Sequence, residues 1–152
     1  MQVYRLAKAK YIRDLTGGGA RIAGGRWNLK GTAVLYTSES RALATVEYLV
    51  HVPITIIPRN LKMATLEVPN AAPTATISDK DLPPNWDYYP SPSQLAKIGT
   101  DWIARNSHLL LYVPSAVVPG EHNVLINPSH RDMKHVKIVH VEAYKFDKRL
   151  LQ

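Results

Sequence analysis

Four side chains have types and settings that could do chemistry. Glu47 lies in a stretch, residues 41–51, built of good helix formers and stopped by Pro53. At about 100° per residue, Leu43, Val46 and Val50 gather on one side of that helix. Glu47 falls beside Leu43, with Thr45 and Tyr48 opposite. A carboxylate on a core-facing stripe is costly unless it is paired or placed in a cleft. Glu47 is therefore either a cleft carboxylate or an edge residue reaching solvent or a basic partner. Arg26 sits in Gly24-Gly25-Arg26-Trp27-Asn28. Glycines let a ligand approach the backbone, and a guanidinium matches a phosphate in a bidentate fork. A plain surface arginine is the alternative. Tyr36 closes a β-type run just before the Glu47 helix and could stack on a planar ligand or belong to the core. Ser115 follows a buried-type strand and Pro114, where it could touch a ligand or merely form a turn.

Other chemistries find little support. His122, His130 and His135 lack a zinc-binding pattern, and no His-Glu-x-x-His is present, so no metal is expected. There is no cysteine, which excludes disulfides and a thiolate nucleophile and fits a reducing compartment. No Gly-x-Ser-x-Gly elbow supports a serine hydrolase. The glycines around Arg26 form neither a phosphate loop ending in Gly-Lys-Ser/Thr nor a dinucleotide fingerprint. The net charge of +7 attracts anions without choosing among nucleic acid, nucleotide, acidic partner or membrane face.

The elements that must position these residues are mixed. Residues 3–6, 33–37, 61–68, 109–113, 124–126 and 136–146 read as strands, the last with Val136, Ile138, His140, Glu142 and Tyr144 on one face. Ser38-Glu39-Ser40 offers caps for the Glu47 helix, and Thr100 could cap a second helix over residues 101–106. The glycine-rich residues 17–25 read as a shaped loop. Residues 69–93 carry six prolines with Trp86, Tyr88 and Tyr89, and read as a long ordered loop whose aromatics need a packing surface. The inventory, richer in strand than helix and without regular βαβ alternation, points to an α+β fold. At 152 residues the chain fits a single domain spanning 1–152. The first thirteen residues hold no uninterrupted apolar run, and nothing approaches the roughly 20 apolar residues of a membrane span. A soluble, cytoplasmic protein with no membrane partner is expected.

Taken in order, these segments resemble the RES family, named for its arginine, glutamate and serine. The matching stretches are Val3-Tyr4-Arg5-Leu6, Gly19-Ala20, Gly24-Gly25-Arg26-Trp27-Asn28, Leu35-Tyr36-Thr37-Ser38 and Ala44-Thr45-Val46-Glu47. They continue with Ile98-Gly99-Thr100-Asp101-Trp102, Val113-Pro114-Ser115, Asn123-Val124-Leu125-Ile126-Asn127-Pro128-Ser129-His130 and Phe146-Asp147-Lys148-Arg149-Leu150. Each is weak alone, and the ordered set is specific. The loop at 69–93 is the part that matches least.

The resemblance implies an ADP-ribosyltransferase-like fold, with two small β-sheets and flanking helices around an NAD⁺ cleft. It implies a toxin that uses NAD⁺ as substrate, by hydrolysis, phosphorolysis or ADP-ribosylation of a protein. It also implies a cognate antitoxin with a DNA-binding domain and a homodimer within the complex. Breaking the nicotinamide–ribose bond builds positive charge at the anomeric carbon, which a fixed carboxylate stabilises. Glu47 would take that role. Arg26 would clamp the phosphates, Tyr36 would stack on or orient the nicotinamide, and Ser115 would hold a polar part of the ligand. Arg5, Trp27 and Asn123 are lesser candidates for the NAD⁺ site. The rival from another class is a basic nucleic-acid-binding protein. It draws on the charge, three Trp and eight Tyr, but the basic residues are scattered. Direct nucleic-acid binding is therefore not expected.

Overall fold

The computed structural model describes residues 1–53, 55–56 and 58–151. Its elements run β1 (Gln2–Lys8), α1 (Gly18–Ala23), β2 (Leu35–Ser38), α2 (Arg41–Leu49), β3 (Leu61–Glu67), β4 (Thr74–Thr76), α3 (Ser93–Arg105), β5 (Leu110–Pro114), β6 (His122–Ile126) and β7 (Lys137–Tyr144), with short 3₁₀ turns between some of them. The strands form a seven-stranded sheet in the order β4-β5-β6-β2-β1-β3-β7. β4 and β5 pair in parallel, which requires a crossover, and α3 lies in that connection. The other neighbouring strands pair antiparallel.

The α+β, ADP-ribosyltransferase-like architecture is as expected, with one difference. The two small sheets are joined into one. The joint is narrow: β1 pairs all along β3, Gln2↔Glu67 through Lys8↔Leu61, yet touches β2 in register only at Tyr4↔Ser38. Beyond that pair the two strands part. Arg5, Leu6 and Ala7 on one side and Leu35, Tyr36 and Thr37 on the other line the same cleft. The near-split of the sheet is thus what opens the site.

Four local expectations are corrected. The glycine-rich loop contains a helical turn and a half, α1, entered through Gly17 at φ 69°. Thr100 caps nothing. α3 starts eight residues earlier than expected, after Pro92, and Thr100 sits inside it. The side of α2 also differs. Leu43, Ala44 and Thr45 are buried while Val50 is exposed. Ala44, Tyr48 and Leu49 pack in a cluster with Leu6, Leu61, Met63, Tyr144 and Phe146, so the aromatic C-terminal strand, not the aliphatic stripe, sets the helix rotation. The face assignment along β7 is broken by a register shift opposite Thr65/Leu66. As a result Ile138 and Val141, not Ile138 and Glu142, pack on the core built around Val3, Ala64, Leu66 and Ile126. A bulge of this kind adds one residue to a strand and breaks its two-residue period. The end of α2 near Pro53 and its Ser40 cap, whose side chain accepts from the Leu43 N–H, agree with the sequence.

Candidate active site

Glu47 leaves α2 towards the end of β5 and β6. Its Oε1 accepts two hydrogen bonds, from Ser115 Oγ at 2.7 Å and from Asn123 Nδ2 at 2.6 Å. Both donors are themselves oriented. Ser115 is buried, and its Oγ accepts the N–H groups of Val117 and Val118 at 3.0 and 2.9 Å. The hydroxyl hydrogen is then left for Glu47. Ser115 is both a turn former and a partner of the carboxylate. Asn123, on β6, receives the Ser38 hydroxyl on its Oδ1 at 2.7 Å, which fixes the amide with its Nδ2 towards Glu47. Among the described residues, Oε2 of Glu47 has no hydrogen-bond partner. The helix, two strands and the turn after β5 therefore hold one carboxylate oxygen and leave the other free beside a cleft of about 1040 Å³ lined by Glu47, Asn123, Arg26 and Tyr36. That volume is at the upper end of small-molecule sites, about 300–1,000 Å³.

Arg26 stands on the same cleft. Its Nη1 donates to the carbonyls of Trp86 at 2.8 Å and Tyr88 at 3.1 Å. Burial holds its guanidinium below the ordinary value, an effect opposed mainly by the negative charges of Glu47 and Asp87. Its Nε and Nη2, the edge that forms a side-on fork to an oxyanion, have no protein partner among the described residues. Tyr36, on β2, donates to Asn28 Oδ1 at 2.6 Å and accepts the Trp27 N–H at 3.1 Å. Burial pushes its phenol far above the usual range, opposed in part by that N–H and by Arg26, so the hydroxyl stays protonated and keeps donating. The Tyr36 hydroxyl thus braces the turn that carries Arg26, while its side chain borders the cleft.

A family model described as "RES domain" matches residues 2–147. The chain belongs to the RES domain family. A protein named "Prs ADP-ribosylating toxin" from Sphingobium sp. (strain YBL2) is 39% identical over 141 residues, covering 91% of this chain and 88% of the relative. "Toxin Res" from Yersinia enterocolitica is 36% identical over 152 residues, covering 99% of each. A chain in the crystal structure of the M. tuberculosis MbcT–MbcA toxin–antitoxin complex superposes with a TM-score of 0.70 over 99% of this chain and 86% of that one. At 18% identity this likeness speaks to the fold alone.

The lesser candidates of this RES domain divide. Asn123 touches Glu47 directly. Arg5 borders the cleft, but its Nη1 is engaged by the carbonyls of Tyr11 and Ile12, both at 2.9 Å. Trp27 is 2% exposed and packs with Val34, Leu95, Trp102, Leu111 and Leu125, so its ring is core beneath the site.

Four supports escaped the sequence reading. Ser38 registered only as a cap, yet it orients Asn123. Thr100 accepts the Leu29 N–H at 3.0 Å, and Asn28 donates to the carbonyls of Ala20 and Thr32. Gly99 lies so close to the Trp27 backbone that a Cβ would fall 1.7 Å from its carbonyl oxygen. The ordered motif Ile98-Gly99-Thr100 was the available signal, because a helix pressed on a turn needs a glycine and a short hydroxyl at adjacent positions. Among the described residues no group of three or more His, Asp or Glu is placed to hold a metal ion, and no helix is long and apolar enough to cross a membrane.

Proposed function

We propose that this RES protein is the toxin of a toxin–antitoxin pair and that it cleaves the nicotinamide–ribose bond of NAD⁺. The carrying observation is the Glu47 carboxylate, with Oε1 saturated by Ser115 and Asn123 and Oε2 free at the wall of a cleft that also holds the unpaired edge of Arg26. Scission leaves positive charge on the ribose, and a carboxylate that cannot rotate away stabilises it without reorganisation. Arg26 holds the pyrophosphate through Nε and Nη2. Nicotinamide departs as a neutral base, so the site needs no acid to protonate it, and among the described residues Glu47 has no acidic partner at hydrogen-bond distance. The cognate antitoxin, with its DNA-binding domain, the homodimer within the complex and the cytoplasmic setting belong to the same reading.

The test is nicotinamide release from NAD⁺ by the purified protein, with and without inorganic phosphate, beside Glu47→Gln. Release by the wild type and loss of about 100-fold or more in Glu47→Gln at unchanged melting temperature supports the assignment. An active Glu47→Gln removes it. Dependence on phosphate names the acceptor.

A second reading is favoured by the name of the Sphingobium relative, an ADP-ribosylating toxin. Here the ADP-ribosyl group is passed to a side chain of a cellular protein as nicotinamide leaves. Labelled ADP-ribose retained on one lysate protein, with little release into solution, distinguishes this transfer from plain NAD⁺ degradation.

A further inference from the structure

We infer that Tyr89 is the platform on which the adenine base of the dinucleotide stacks, and that residues 83–92 serve to hold that ring in place. The inference rests on the NAD⁺ reading above and extends it to the other half of the substrate.

Tyr89 is 84% exposed, the most exposed of the large hydrophobic side chains among the described residues, and it borders the cleft together with Pro90 and Ser91. Tyr88 is also exposed but does not line the cleft. Among the described residues Tyr89 has neither a hydrogen bond nor an aromatic neighbour. A ring left so bare usually sits on mobile chain, yet this segment is tied at several points. Trp86 packs on the cluster of Trp27, Leu95 and Trp102. The N–H groups of Trp86 and Tyr88 close turns onto Pro83 and Asn85. Arg26 grips the carbonyls on both sides of Asp87, and Pro92 opens α3. An unpartnered aromatic ring at a cleft rim, carried on backbone tied at these points, is open to a flat ligand, and little backbone freedom remains to be lost on binding.

The roles proposed for the other cleft residues select the base. Glu47 serves the ribose whose bond breaks, so the nicotinamide lies at that end. Arg26 serves the pyrophosphate, which joins the two nucleosides. Tyr89 lines the same cleft as Arg26, and Arg26 holds the carbonyl of the preceding residue, Tyr88, at 3.1 Å. The next planar group beyond the pyrophosphate is adenine. Bases stack on aromatic side chains through their π-faces, and removing such a ring weakens binding by roughly tenfold to a hundredfold.

The test titrates ADP-ribose into wild type, Tyr89→Ala and Tyr89→Trp by calorimetry, which needs no turnover, and measures KM and kcat for NAD⁺ in the same three proteins. The inference expects affinity for ADP-ribose to fall about tenfold or more in Tyr89→Ala, to be kept in Tyr89→Trp, and KM for NAD⁺ to rise by the same factor at constant kcat. Equal affinity in wild type and Tyr89→Ala, or no ADP-ribose binding by the wild type, overturns it. A wild type that binds ADP-ribose through Tyr89 yet releases no nicotinamide overturns only the cleavage reading.

Discussion

Ser115 Oγ donates to Glu47 Oε1 at 2.7 Å, across 68 residues of sequence. The bond joins the turn after β5 to the last turn of α2. Because Ser115 already accepts two backbone N–H groups, its hydrogen has one remaining direction. Glu47 is thereby oriented by a hydroxyl that cannot swing, and Asn123 Nδ2 approaches the same oxygen.

Shared use of one oxygen has a kinetic consequence. Ser115→Ala and Asn123→Ala each leave Glu47 one anchor, and each should lower kcat for nicotinamide release by about tenfold or more. Groups that position a single atom do not act independently, so the double variant should lose less than the product of the single losses. Initial rates of the four proteins close the cycle. A strictly multiplicative loss would show that the two residues act on different features. Ser115→Ala should also melt earlier, since two half-buried N–H groups lose their acceptor, each at a cost below the figure of about 1–3 kcal/mol for a fully buried unsatisfied group.

Arg26 is asked to hold two things at once, the carbonyls of Trp86 and Tyr88 and, in the proposed function, a pyrophosphate. Only a planar fork with donors on both edges can do both. Arg26→Lys keeps the charge and loses the geometry. KM for NAD⁺ should rise about tenfold or more, and residues 83–92 should become cleavable under limited proteolysis. A variant with normal KM and an uncut segment would confine Arg26 to a surface role.

The RES motif residues could be found in the sequence because residue type carries their chemistry. A glutamate beside the apolar stripe of a helix and an arginine among glycines stand out before any fold is known. What could not be read is the side of α2 that meets the core. Leu43, Val46 and Val50 form the more regular stripe, yet Tyr144 and Phe146, about a hundred residues away, decide the packing. Likewise the bulge in β7 arises from its pairing with β3, and no local pattern announces it. The partition into two sheets was close to the truth because the joint between β1 and β2 is a single pair. Whether such a joint closes depends on geometry between strands some thirty residues apart. Support residues such as Ser38 and Gly99 stayed hidden because serine caps and helix glycines have commoner explanations.

Gly99 tests the idea that α3 is the base plate of the site. A Cβ there would meet the Trp27 carbonyl oxygen at 1.7 Å and the carbonyl carbon at 2.8 Å. Backbone cannot step aside as a flexible side chain can, so either α3 or the Arg26 turn must move. Gly99→Ala should cost about 3 kcal/mol, the upper range for overpacking, and should raise KM in whatever protein remains folded. Alanine otherwise favours a helix over glycine by about 1 kcal/mol. A melting temperature at or above that of the wild type would therefore show that the close approach is not maintained.

Tyr36 makes stability depend on alkaline pH in a way one substitution can isolate. Its phenol is raised by burial above the ordinary value of 10.0. Folding therefore favours the neutral form. That contribution is complete below a pH of about 10 and is lost as the pH climbs through the unfolded tyrosine value towards the folded one. Tyr36→Phe removes the hydroxyl that bonds Asn28 and the Trp27 N–H, and should destabilise the protein by about 1–3 kcal/mol near neutrality. Above a pH of about 10 the wild type must pay to keep this phenol neutral and the variant has none to keep. The gap between them should narrow there. Urea midpoints of both proteins at pH values of about 8, 10 and 11 measure this gap directly, with the other tyrosines and the lysines cancelling in the difference. A constant gap across that range would mean that Tyr36 titrates normally and that the turn carrying Arg26 is open to water.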